Sequence, residues 1–147
     1  MEISGRKIIA ATPSVCYHLL TDPDTLVDTM PGLTRMESEG ENRYVVELVM
    51  GVPALRGRYR GVMAIEDAVE NQAYRLLLEG EGPLGTIRME LAVHFESVDK
   101  GTEVTYQGVA TMGSSQAGVA QKILSGATTL LMNQFFNNIA KAAKKAG

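Results

Sequence analysis

Hydrophobic and polar positions alternate in twos from Glu2 to Ala11, which predicts a first strand with Lys7 on its inward side. Pro13 suits the first turn of a helix and Thr12 can cap its free amides, so a short helix is expected over Ser14–Leu20. Thr21-Asp22-Pro23-Asp24 supplies a second cap, and the helix after it stops at Pro31-Gly32, where proline cannot continue it. From Leu33 to Met112 the period is two again, with turn chemistry at Gly40-Glu41-Asn42, Asn71 and Asp99-Lys100-Gly101, and six strands are expected there. After Ser114 and Ser115 the pattern turns helical to about Ala143. Ala120, Leu124, Ala127, Leu131, Phe135, Asn138 and Ala142 then share one stripe. A helix of about thirty residues spans roughly 40 Å at 1.5 Å per residue, enough to cover the apolar face of a sheet. The expected architecture is α+β: a curved seven-stranded antiparallel sheet wrapped around a long C-terminal helix, with two short helices after the first strand.

The strands have one wet face and one apolar face. Leu55, Gly57, Tyr59, Gly61, Met63 and Ile65 point one way, while Arg56, Arg58, Arg60 and Glu66 point the other. Ile87, Met89, Leu91, Val93 and Phe95 alternate with Arg88, Glu90 and His94. Val104, Tyr106, Ala110 and Met112 alternate with Glu103, Thr105 and Gln107. The inward set need not fill itself. It mixes Met50, Met63, Met89 and Met112 with Tyr59, Tyr74 and Tyr106, and with Gly57, Gly61, Gly80 and Gly108. Small residues leave room, methionine adapts to an irregular guest, and a buried phenol wants a polar partner. The alternative is a packed core in which the glycines mark bulges of a strongly curved sheet. The residues alone leave both readings open.

Length and composition narrow the function classes. The 147 residues suit a single domain over 1–147, because no linker, repeat or low-complexity tract divides them. With 45% hydrophobic residues and a net charge of -3, neither disorder nor charge-driven binding of polyanions is expected. One cysteine, Cys16, cannot form an internal bridge, and no secretory leader pattern opens the chain, so a cytoplasmic address is expected. The uncharged run from Ile123 to Ala140 is interrupted by too many polar residues for a membrane span.

Reactive motifs are sparse. Gly80-Glu81-Gly82-Pro83-Leu84-Gly85 has the glycine spacing of a dinucleotide fingerprint, but a strand follows it instead of a helix, so it reads as a hairpin connection. Cys16 and His18 point to different faces of their helix, and neither His18 nor His94 has partners at metal-ligand spacing. Arg56, Arg58 and Arg60, with Arg75 and Arg88, share their strands with Glu66, Glu79 and Glu90; cross-strand charge pairing on a solvated face is the expectation. Without interleaved aromatics, no nucleic-acid partner is expected. Lys141, Lys144 and Lys145 complement a helix C-terminus.

Several segments in order carry a family resemblance: Leu20-Thr21-Asp22-Pro23, then Met30-Pro31-Gly32; Gly51 leading into Gly57-Arg58-Tyr59-Arg60-Gly61; Gly80-Glu81-Gly82 with Leu84-Gly85; Gly101-Thr102; and Gln134-Phe135-Phe136 in the final helix. In these the chain resembles the CoxG family, the G subunits of carbon monoxide dehydrogenase, within the START-like, or SRPBCC, superfamily. The resemblance implies the helix-grip (START/Bet v 1-like) fold with a deep cavity whose mouth lies near the two short helices. It also implies an accessory protein of a molybdenum-containing carbon monoxide dehydrogenase-type enzyme, linked to membrane recruitment and to carrying quinone. Two departures stand out. Gly113 is followed by Ser114 and Ser115 where the family commonly has two successive glycines, and the hydrophobic tail of longer members is absent, so stable anchoring is not expected.

The leading expectation is a non-enzymatic carrier of a hydrophobic molecule, such as menaquinone or another quinone, with no covalent cofactor and no metal. It would visit a molybdenum-containing dehydrogenase and, transiently, the inner face of the membrane. Met50, Tyr59, Met63, Tyr74, Met89, Leu91, Tyr106, Leu124, Leu131 and Phe135 are the expected cavity wall, Gln134 the polar contact, and Met30, Pro31 and Gly32 the gate. Two alternatives accompany it: a polyketide cyclase/aromatase-like enzyme, which would need a titratable inward group such as Lys7, and a docking subunit with a filled core. The interior volume separates the three.

Overall fold

Both short helices start where capping chemistry directs. The computed structural model describes residues 2–51, 56–83, 85–113 and 117–146, without the side chains of 112, 117–125, 127 and 146. Strand β1 (Glu2–Ile9) stops two residues before Ala11, because the Ala11 amide turns back to the Ile9 carbonyl at 2.8 Å. That turn leaves Thr12 outside helix α1 (Pro13–Thr21), where its hydroxyl accepts from the Val15 amide. Helix α2 (Pro23–Thr29) is capped by the Asp22 carboxylate, which accepts from both the amide and the hydroxyl of Thr25. Each helix has proline in its first turn, where the missing N–H costs nothing.

Six further strands follow: β2 (Leu33–Gly40), β3 (Arg43–Met50), β4 (Gly57–Val69), β5 (Ala73–Gly82), β6 (Gly85–Val98) and β7 (Gly101–Gly113). They form one seven-stranded antiparallel sheet in the order β1-β7-β6-β5-β4-β3-β2. Consecutive strands are hairpin neighbours, while β1 pairs with the distant β7. The two short helices therefore bridge from one sheet edge to the other. Helix α3 (Ala117–Ala146) runs on beyond the expected Ala143 and contacts α1, α2, β1 and β7. One long helix gripped by a curved sheet is the helix-grip arrangement.

The core lies where these layers meet. Ile9, Cys16, Val46, Met63, Val104 and Ile139 are essentially inaccessible, and each aliphatic side chain buried in this way stabilises the fold by roughly 1.5–3 kcal/mol. On the convex face Arg60 pairs with Glu47 at 3.0 Å, Arg75 with Asp67 and Glu90 at 3.4 Å, and Arg88 with Glu79 at 3.6 Å. This is the expected charge pairing. Gly61 and Gly108 do not enlarge the interior: a Cβ on either would strike a neighbouring strand's carbonyl, of Glu79 or Glu90. The register runs unbroken through both, so they mark no bulge; these glycines permit close backbone approach in a curved sheet. Leu55 and Leu84, together with the side chains of Met112 and Leu124, lie outside the described residues.

Candidate functional site

Between the concave sheet and α3 lies an apolar hollow of about 160 Å³. Of the residues expected to wall it, Met50, Tyr59, Tyr74, Met89, Leu91, Tyr106, Leu131 and Phe135 border it. Register explains the convergence. Leu76 stands opposite Leu91 and Leu78 opposite Met89, so inward residues of adjacent strands stack in rows beneath the helix. The sequence-based selection missed, among others, Leu76, Leu78, Ile87, Val93, Met132 and Phe136, which also border the hollow. Residue parity would have found the four strand residues; selecting by type, for methionine and tyrosine, passed over them.

Two expectations need correction. Met63 is fully buried but is packed into the core and does not border the hollow. Gln134 is exposed. At about 100° per residue it lies well away from the buried face of α3 formed by Phe135, Phe136, Ile139 and Ala143. Its amide cannot meet an enclosed guest. Asn138, on the flank of that face, is also committed, because its Nδ2 donates to the Thr29 carbonyl at 2.9 Å and ties α3 to the end of α2.

The expected gate is held at both ends. Met30 and Pro31 border the hollow, Gly32 does not. The Leu33 amide donates to the Met30 carbonyl at 3.1 Å, and the Val49 amide donates to the Gly32 carbonyl at 2.7 Å. Gly32 has φ +87°, and a Cβ there would lie 2.9 Å from the Val49 carbonyl oxygen, so glycine is required.

The interior offers little for acid–base chemistry. Tyr74 donates to the Leu20 carbonyl at 3.1 Å and packs with Tyr17 and Phe95. Burial, and secondarily the neighbouring Tyr17, push its phenol well above the ordinary tyrosine value. Burial also raises Tyr106, which stacks on Phe136 with ring centroids 5.2 Å apart. The Cys16 thiol is raised by burial, only partly offset by a hydrogen bond with Thr102, so it is a packing residue and not a nucleophile. Lys7 borders a separate polar groove between β1 and α3 instead of the hollow. Among the described residues no cluster of His, Cys, Asp or Glu could hold a metal ion, and no helix is long and apolar enough to cross a membrane.

Comparison with known proteins agrees with this geometry. The family model for CoxG, the G subunit of carbon monoxide dehydrogenase, matches residues 5–144. A conserved protein from Geobacillus kaustophilus superposes with a TM-score of 0.93 at 28% identity, over 99% of this chain and 97% of that one. A START superfamily protein from Mycobacterium smegmatis superposes with a TM-score of 0.75 at 10% identity, over 99% of both chains. Protein Ms6760 from the same organism gives 0.73 at 16% identity, over 99% of this chain and 92% of that one. At those lower identities the likeness concerns the fold, which is START-like. No functionally curated protein matches the chain.

Proposed function

The chain belongs to the CoxG family of carbon monoxide dehydrogenase G subunits, and from that premise we propose that it is a non-enzymatic carrier that encloses an isoprenoid quinone. It delivers this guest between the membrane surface and a molybdenum-containing carbon monoxide dehydrogenase-type enzyme. The observation that carries the reading is the apolar hollow itself. Its walls come from β3 to β7, both short helices and α3, and close packing does not fill it. An apolar cavity of about 150 Å³ takes one benzene-sized guest, so a 160 Å³ space admits a ring or the leading part of an isoprenoid chain. The remainder of a quinone emerges past Met30 and Pro31.

Organic extraction of the purified protein followed by mass spectrometry tests this, alongside melting curves with added menaquinone. Recovery of a quinone, or a melting temperature that climbs with menaquinone concentration, is expected. Leu131→Arg, which puts a charge against the hollow, should abolish the rise. Extracts free of quinone together with an unmoved melting temperature would overturn the proposal.

A further inference from the structure

We infer that the groove between β1 and α3 is the polar half of the ligand site, and that it binds the carboxylate of a single-chain amphiphile whose tail enters the apolar hollow past Tyr106. The inference rests on the hollow being a ligand chamber. It adds a ligand class that a neutral quinone does not belong to.

The groove has a volume of about 380 Å³ and is bordered by β1, Tyr106 of β7, and Thr128, Met132 and Asn133 of α3. Tyr106, Thr128 and Met132 border the hollow as well, so a single layer of side chains separates an apolar chamber from a polar one. The hollow alone falls below the roughly 300–1,000 Å³ of small-molecule sites, whereas the groove is of that size but polar, so a guest with a charged head and an apolar tail needs both.

The partition is built around Tyr106. Its ring stacks on Phe136, and its hydroxyl end lies over Gly5 of β1, in space that a Cβ at Gly5 would occupy. Among the described residues that hydroxyl has no hydrogen-bond partner, whereas the Tyr74 hydroxyl donates to the Leu20 carbonyl. Strand alternation places Ile3, Gly5, Lys7 and Ile9 toward α3, which makes Lys7 the charged residue on that face of β1. Arg6 and Glu2 alternate to the other side of the strand and are exposed, although both reach the rim of the groove, where Arg6 lies 4.0 Å from Glu103. Lys7 itself pairs with no acidic group among the described residues. An ammonium and a phenol thus meet at one polar groove beside a greasy chamber. A carboxylate accepts from both through charge-assisted hydrogen bonds, while its alkyl chain gains by leaving water.

Isothermal titration calorimetry with decanoate and with 1-decanol tests this, because the two probes share a chain length and differ in head charge. Wild-type protein should bind decanoate at least tenfold more tightly than decanol. Lys7→Gln should remove that preference and leave decanol unchanged, Lys7→Arg should retain most of it, and Tyr106→Phe, which keeps the ring stack, should weaken decanoate several-fold. Equal affinities in the wild type, or a preference that survives Lys7→Gln, would overturn the inference while leaving the chamber reading standing. Binding of neither probe would remove both. A Lys7-dependent preference for decanoate in a protein that ignores menaquinone would uphold this site and remove only the quinone.

Discussion

Replacing Met89 with tryptophan asks directly whether the interior holds unfilled space. Met89 is on β6, half-buried, borders the hollow, and has the small Ala110 as its cross-strand neighbour. In a close-packed core, inserting a bulkier side chain costs about 1–3 kcal/mol through displaced neighbours. In this protein the sign should reverse. At about 24 cal/mol per Å³ of cavity, an empty space of 160 Å³ carries about 4 kcal/mol of unrealised stability. An indole occupying half of it recovers about 2 kcal/mol, which raises the melting temperature of a chain this size by roughly 4–8 °C. Urea denaturation and calorimetry supply the stability, and titration with the apolar fluorophore N-phenyl-1-naphthylamine supplies the occupancy. Met89→Trp should be more stable than the wild type and take up little or no dye. A variant that loses stability and still binds dye as the wild type does would refute the reasoning, since the volume would then not be available to a side chain.

Two further substitutions probe what surrounds the hollow. Tyr74→Phe leaves the Leu20 carbonyl without its donor and should cost about 1 kcal/mol at neutral pH. It should also flatten the alkaline limb of stability. The unfolded phenol ionises above about pH 10, whereas burial keeps the folded one protonated. The unfolded state then binds fewer protons, and wild-type stability falls by about 1.4 kcal/mol per pH unit there. Superimposable alkaline slopes in urea titrations of the two proteins would contradict this. Asn138→Ala should lower the urea midpoint through a loss of about 1–2 kcal/mol, because it strips the Thr29 carbonyl of its amide donor and unties α3 from α2; an unchanged midpoint would show that the bond contributes nothing.

Much of this protein was legible locally. Thr12 and Asp22 cap the two short helices as their positions before Pro13 and Pro23 demanded, and the alternation from Tyr59 to Ile65, Ile87 to Phe95 and Val104 to Ala110 identified the inward face of each strand. Caps and parity depend on a residue and its near neighbours, so one chain read in order is enough to place them. The sidedness of α3 was legible in outline: Leu131 and Phe135 face inward, but Gln134 does not, since on a helix one position shifts a side chain by about 100°.

Tertiary structure alone decided which inward residues meet space and which meet each other. Met63 and Met89 have the same chemistry and the same strand parity, yet one is packed solid and the other borders the hollow. The difference is that the neighbours of Met63 close around it, whereas Met89 faces space that residues of β3 to β7, both short helices and α3 together leave unfilled. Likewise, Lys7 and Tyr106 meet across one groove only because β1 pairs with β7, a contact between the two ends of the sheet sequence. A residue's own periodicity determines which way it points. A void is what many facing residues fail to fill, and that quantity exists only once distant segments have been brought together.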